Sequence, residues 1–144
     1  MRIVRIDRSG RALAAVALFA AAIASAPLAH AEGVTDLRDT YAMQARSRDA
    51  SYVPSAERGR RFFTGRHGAD WSCSTCHTAD PRNDGRHATT GRTIGPLAPA
   101  ANPLRLTNGR KVEKWFTRNC RDVVARECTP GEKADVLAWL ASVR

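Results

Sequence analysis

Apolar positions along the chain form one long block near the start and then short, periodic stretches. From Ala12 to Ala26 the residues are unbroken small and apolar, a run of about 15, short of the roughly 18 to 20 needed to span a bilayer. Val34 to about Arg48 has helical spacing, with Thr35 or Asp36 able to cap and Leu37, Tyr41 and Met43 or Ala45 on a weak apolar face. A second helix is expected from about Ser55 to Gly65, entered through Pro54, capped by Ser55 and carrying Phe62 and Phe63 toward a core. Thr78 to Asn108 is rich in Gly, Pro, Thr, Asn and Arg and lacks apolar period, so it reads as loop, and no convincing strand is present anywhere. Gly109 to about Cys120 places Val112, Trp115, Phe116 and Asn119 on one broad helical face. The last helix opens with the capping box Thr129-Pro130-Gly131-Glu132 and buries Val136, Leu137, Trp139, Leu140 and Val143. The pattern is all-α, with about four helices.

The apolar block changes meaning with its flanks. Arg2, Arg5, Arg8 and Arg11 precede it, and Ala29-His30-Ala31 follows with small residues at the spacing of a cleavage site. Residues 1–31 therefore read as a secretory signal peptide cleaved after Ala31, which places the mature chain in the periplasm. Residues 32–144 fit a single domain. Removal of the leader leaves 19 basic and 13 acidic residues, a formal charge of +6. That charge can steer docking to an acidic partner, but the arginines are scattered rather than clustered with aromatics, which argues against nucleic acid.

All four cysteines lie in the exported part. Cys73-Ser74-Thr75-Cys76-His77 has the C-x-x-C-H spacing in which each thiol adds across one haem vinyl group and the adjacent histidine binds iron from below the ring. The motif thus predicts one covalent haem c. A thioredoxin-like dithiol would belong beside a strand and helix unit, and a zinc site would need two more ligands, for which Cys120 and Cys128 are the candidates. In an oxidising compartment those two cysteines pair by default, closing a short polar loop.

A thoroughly long loop inside a compact chain needs something to order it, and a haem supplies a large apolar plate. The iron's other side is open to several readings. Methionine is the usual partner in a simple electron carrier, yet Met1 leaves with the leader and Met43 precedes the motif and fits a helix face as packing. His87, Lys111, Lys114, Lys133, an asparagine, or no protein ligand remain. The lysines read as solvated positions, since ligation requires a proton lost from a group with reference pKa about 10.4. Asn119 is the odd polar residue on an aromatic face, and its ordinary role would be a hydrogen bond to backbone or to a haem propionate.

From Glu57 to the C-terminus, Glu57-Arg58-Gly59, Cys73 to His77, Ile94 to Pro99, Lys111 to Trp115, Arg118-Asn119-Cys120, Cys128 to Asp135 and Ala138-Trp139-Leu140 together resemble the sphaeroides haem protein family. These proteins are variants of class I cytochrome c, an all-helical fold around one haem. The resemblance implies that Asn119 is the sixth iron ligand, bound in the ferric protein and released on reduction so that oxygen, nitric oxide or carbon monoxide can bind. It also implies a bridge from Cys120 to Cys128. General class I patterns imply that Gly59 and Phe63 let one helix cross the last at Trp139 and that the Pro96 carbonyl accepts the His77 Nδ1 proton; Trp115, on the aromatic face of its helix, is expected to pack on the haem. Implied partners are a dihaem cytochrome c and a membrane b-type cytochrome. A simple electron carrier with a permanently closed iron is the alternative. An enzyme converting nitric oxide or peroxide ranks below both, because only His87 offers itself as a distal acid or base.

Overall fold

The computed structural model describes residues 33–68 and 70–144. The expected leader lies outside the described residues. Five helices are present among them: α1 (Val34–Arg46), α2 (Ala56–Thr64), the one-turn α3 (Cys73–His77), α4 (Gly109–Val124) and α5 (Pro130–Ser142). Two short strands, β1 (Gly85–Arg86) and β2 (Thr93–Ile94), pair antiparallel with Gly85 opposite Ile94. The sequence reading of that segment as strandless is corrected to this extent, and two residues per strand are too few to show a period of two.

α1 begins where the Asp36 carboxylate accepts the Gly33 N–H at 2.9 Å. Its inner face is Leu37, Tyr41, Ala42 and Ala45. Met43 is 64% exposed, so it is a surface residue and not the packing residue expected from sequence; Ala42 takes the inward position. α2 and α5 start as their sequences dictate, with the Ser55 hydroxyl accepting the Arg58 N–H and Thr129 and Glu132 exchanging cap bonds of 3.2 and 2.8 Å. α4 is capped by the Asn108 side chain on the Lys111 N–H. It runs past Cys120 for another turn because Val123 and Val124 are buried, and ends at Ala125, whose φ of 58° is left-handed.

α5 is the hub, packed by α1 on one side and α2 on the other. Leu37, Tyr41, Ala42, Val112, Ala134 and Leu137 form one cluster, and Phe63, Val136, Trp139 and Leu140 form a second. At the α2–α5 crossing, a Cβ on Gly59 would lie 1.9 Å from the Asp135 carbonyl oxygen, a contact no side chain survives. One turn on, the Phe63 and Trp139 rings sit 4.8 Å apart. The crossing expected for Gly59, Phe63 and Trp139 is the one observed.

Two polar networks fix the remaining freedom. Asp135, buried on α5, takes Arg58 Nε at 2.8 Å, Arg58 Nη2 at 2.9 Å, the Ser55 N–H at 2.7 Å and the Tyr52 hydroxyl at 2.8 Å. Burial and the neighbouring carboxylate raise the Tyr52 phenol above its ordinary range. On the other side, Glu113 of α4 accepts from Lys133 Nζ of α5 at 2.7 and 2.8 Å and from the Tyr41 hydroxyl of α1 at 2.7 Å. Lys133 is thus a paired, largely covered side chain, not the solvated position expected.

Gly59→Ala should cost about 1 to 3 kcal/mol through overpacking at the crossing, read as a fall in thermal midpoint; an unchanged midpoint would contradict the close approach. Burial alone would raise the Glu113 carboxyl, but the Lys133 and Tyr41 hydrogen bonds outweigh it and hold the group below the usual carboxylate range. A lowered folded-state value means stability that is present above the unfolded value and lost as pH falls through the lowered one. Glu113→Gln should therefore be less stable at neutral pH and show a flatter acid limb in a pH series of unfolding midpoints.

Candidate functional site

The α2–α5 crossing delivers the chain to α3, where Cys73, Cys76 and His77 occupy a single helical turn. The Ser72 N–H is capped by the Thr75 hydroxyl at 2.9 Å. Beyond His77 the chain leaves through Thr78 at φ 62°, ψ 163°, a backbone region that costs a non-glycine residue roughly 1 to 3 kcal/mol. The returning hairpin then comes so close that a Cβ on Gly85 would lie 2.0 Å from the Cys76 carbonyl oxygen. Only glycine fits there, and the turn is held by the Ala88 N–H on Cys76 Sγ at 3.4 Å.

Both thiols are unpaired with each other. Burial pushes the Cys73 thiol up to about 11, the opposite of the lowered value a redox dithiol needs. Cys120 and Cys128 form a disulfide with Cα atoms 5.7 Å apart, which removes them as zinc ligands. His77 is pulled down to about 4, first by burial and then by the charge of Arg105, so the ring is neutral and able to donate to a metal at any physiological pH. Its ring centroid lies 6.2 Å from that of Phe63.

Cys73 packs at once against the Phe63–Trp139 cluster and against Cys120, Val123, Val124 and Cys128. The attachment motif and the end of α4 are therefore neighbours. Asn119 immediately precedes the bridged Cys120, is half-buried, and its amide has no hydrogen-bond partner among the described residues. One turn earlier, Trp115 is 45% exposed with the Arg118 guanidinium 5.9 Å from its ring. Phe116, between them, joins the disulfide cluster to both others.

The other sequence candidates are placed less favourably. His87 sits in the hairpin, its Nδ1 accepting the Thr89 and Thr90 N–H groups at 3.3 Å each. Lys111 and Lys114 are exposed. The Pro96 carbonyl accepts from Arg105 Nε at 3.1 Å and Asn102 Nδ2 at 3.4 Å, and the His77 ring makes no hydrogen bond among the described residues. Sequence reasoning passed over Arg105, which looks like one more scattered basic residue. It also passed over Asp135, whose signal was visible as a lone acid among Ala134, Val136 and Leu137.

The residues present fit a covalently bound haem: two thiols one turn apart, a neutral histidine beside them, a glycine where the returning chain crosses their backbone, and an unpartnered amide on the neighbouring helix. Comparison with known proteins agrees. A family model described as a domain of unknown function (DUF1924) matches residues 49–140. The cytochrome c-type protein SHP of Cereibacter sphaeroides is 54% identical over 91 residues, 60% of this chain and 70% of that protein. Cytochrome c'' of Methylophilus methylotrophus is 35% identical over 130 residues, 87% of this chain and 90% of that protein. Among solved structures, oxidized cytochrome c'' aligns with a TM-score of 0.69 and 36% identity, over 77% of this chain and 94% of that one. Oxidized SHP aligns with a TM-score of 0.64 and 46% identity, over 76% and 96%.

Fold and relatives define a c-type cytochrome of all-α architecture carrying covalently bound haem c. Within that class the chain belongs to the family of the sphaeroides haem protein, the SHP cytochromes.

Opening the Cys120–Cys128 bridge with Cys128→Ser should cost about 2.6 kcal/mol by the loop-entropy estimate, a fall in thermal midpoint of roughly 10 to 20 °C. A midpoint equal to that of the parent would show that the bridge constrains little.

Proposed function

We propose that the chain is a periplasmic mono-haem cytochrome that couples electron transfer to binding of a diatomic ligand, oxygen or nitric oxide, at an iron site gated by Asn119. In this reading residues 32–144 form one haem domain, Cys73 and Cys76 carry the thioether links, His77 is the proximal ligand and Asn119 the distal one. Haem c, when bound, supplies a reversible one-electron iron centre with an axial position that can take a small ligand.

The observation that carries the reading is the Asn119 amide, half-buried beside the attachment motif and without a protein partner. No described side-chain nitrogen or oxygen is both buried and unsatisfied, so the amide keeps an open side on which a ligand can meet it and is not tied to the protein. An amide oxygen is a hard, weak donor, suited to ferric iron and poorly suited to the softer ferrous ion. The same side chain can therefore close the site in one oxidation state and release it in the other. The bridge at Cys120 anchors the helix end one residue away, so Asn119 can let go while its backbone stays in place. His77, half-buried and held neutral, gives a constant ligand opposite it.

Two descriptions of relatives support this reading. SHP is described as an oxygen-binding cytochrome c, and the solution structure of cytochrome c'' is described as bearing on haem-ligand detachment. Redox partners of the kind a dihaem cytochrome c or a membrane b-type cytochrome would provide suit the outer ridge of α4. Lys111, Lys114, Arg118 and Arg121 are all exposed there, on the helix that carries Asn119, and such a ridge favours an acidic docking surface.

Absorption spectra of the ferric and dithionite-reduced protein test the gate. Reduction should give a high-spin iron that takes up carbon monoxide. Asn119→Ala should already be open when ferric, raising affinity for added imidazole by about 10-fold or more, each factor of ten being about 1.4 kcal/mol. A low-spin spectrum in both states, indifferent to carbon monoxide and to the substitution, would leave an ordinary electron carrier.

A further inference from the structure

Trp115 is the aromatic side chain that α4 leaves out of the core. Val112, Cys120, Val123 and Val124 bury the inward face of the helix, and Phe116 packs against all three hydrophobic clusters. Trp115 belongs to none of those clusters and is 45% exposed. Its indole N–H meets no acceptor among the described residues. A tryptophan offers a large apolar area and a single donor, and here the protein uses neither fully.

The indole is nevertheless held in place. The Arg118 guanidinium, three residues on, stands 5.9 Å from the ring centroid, within cation–π range. Asn119 follows at the next position. Residues four apart on a helix are surface neighbours, with Cβ atoms about 5 to 6 Å apart. Side chains on a helix lean toward its N-terminus, so the Asn119 amide covers the turn that carries Trp115 and Phe116. Phe116 is committed to the core, which leaves the indole beside the amide. Two polar groups without a protein hydrogen bond, the Asn119 amide and the Trp115 N–H, thus occupy neighbouring positions on one side of α4.

Diatomic ligands differ in what they ask of such a donor. Oxygen draws electron density from a ferrous centre, so its outer atom becomes a good hydrogen-bond acceptor, whereas carbon monoxide draws far less. Donors near the iron are among the means by which a haem protein selects its ligand, because a donor aimed at developing charge contributes more than one aimed at a neutral atom. We propose that Trp115 is a specificity-determining residue of the diatomic-ligand site, its indole N–H donating to the outer atom of oxygen and favouring oxygen over carbon monoxide. The ring is held by Arg118 and not by Asn119, so the donor stays in place when the amide withdraws. This rests on Asn119 as the distal ligand, since that assignment sets Trp115 beside the open side of the iron.

The test compares oxygen and carbon monoxide binding to three reduced, haem-loaded full chains: the parent, Trp115→Phe, and the chain with benzothienylalanine at position 115, which keeps the bicyclic ring without the N–H. Loss of one charge-assisted hydrogen bond should weaken oxygen binding by about 10-fold or more, mainly through faster dissociation, and carbon monoxide binding by less than about 3-fold. The C–O stretching frequency of the carbon monoxide complex should rise slightly in both variants. An equal loss for both gases would make Trp115 packing alone and overturn the proposal, as would no loss for either. Should Trp115→Phe fail to hold haem, the isostere, which preserves the shape, decides. A parent that takes up no carbon monoxide on reduction would end the gate and this role with it. Carbon monoxide uptake by all three chains with an unchanged preference for oxygen would remove this role and leave the gate standing.

Discussion

At Gly59 the backbone of α2 comes to rest on the Asp135 carbonyl with no room for a Cβ, and the position of the haem motif follows from that contact. Helices that cross at side-chain distance can slide by several ångströms at small cost, whereas a backbone-to-backbone crossing fixes both register and angle. Phe63 and Trp139 fill the next turn, and Asp135 locks the start of α2 through Ser55 and Arg58. Its apolar neighbours could not do this alone. With α2 fixed, only a short connection remains before Cys73, and the hairpin that returns over Cys76 is held by a second glycine contact of the same kind at Gly85. Two glycines therefore define where α3 can be.

The opposite wall is built differently. α4 is joined to α1 and α5 by Glu113, Lys133 and Tyr41 at its first half and by the Cys120–Cys128 bridge near its end. Asn119 lies between these two restraints, on a helix tied at Glu113 and at Cys120, with a side chain that no hydrogen bond engages among the described residues. A weak donor on a rigid support is what a reversible ligand requires. In the proposed reading, binding would cost little reorganisation, release would leave the fold intact, and the choice between them would fall to the metal's oxidation state. Cys73 touches both walls, so the attachment motif and the end of α4 share one packed neighbourhood.

Much of this was legible in the sequence, for identifiable reasons. The capping box at Thr129 and the serine cap at Ser55 are local signals, and local hydrogen bonds form them. C-x-x-C-H is read by spacing alone, and the Gly59 crossing by resemblance. The length of α4 was missed because Arg121 and Asp122 interrupt the apolar pattern, while Val123 and Val124 are buried only through a disulfide distant in period from the helix start. Met43 and Lys133 were misplaced for the same reason: which face of a weakly amphipathic helix turns inward is settled by its neighbours, Ala42 against α5 in one case and Glu113 in the other. Arg105 carried no signal at all, because its bonds to the Gly95 and Pro96 carbonyls are made across a loop and leave no mark in spacing.

Crystal structures of the haem-loaded protein in the ferric and the chemically reduced state, from the same crystal form, test the central claim most directly. The account requires the Asn119 amide oxygen within bonding distance of iron in the ferric crystal and withdrawn in the reduced one, with α4 and the Cys120–Cys128 bridge unmoved. An Asn119 side chain remote from iron in both states, or bound in both, would contradict it.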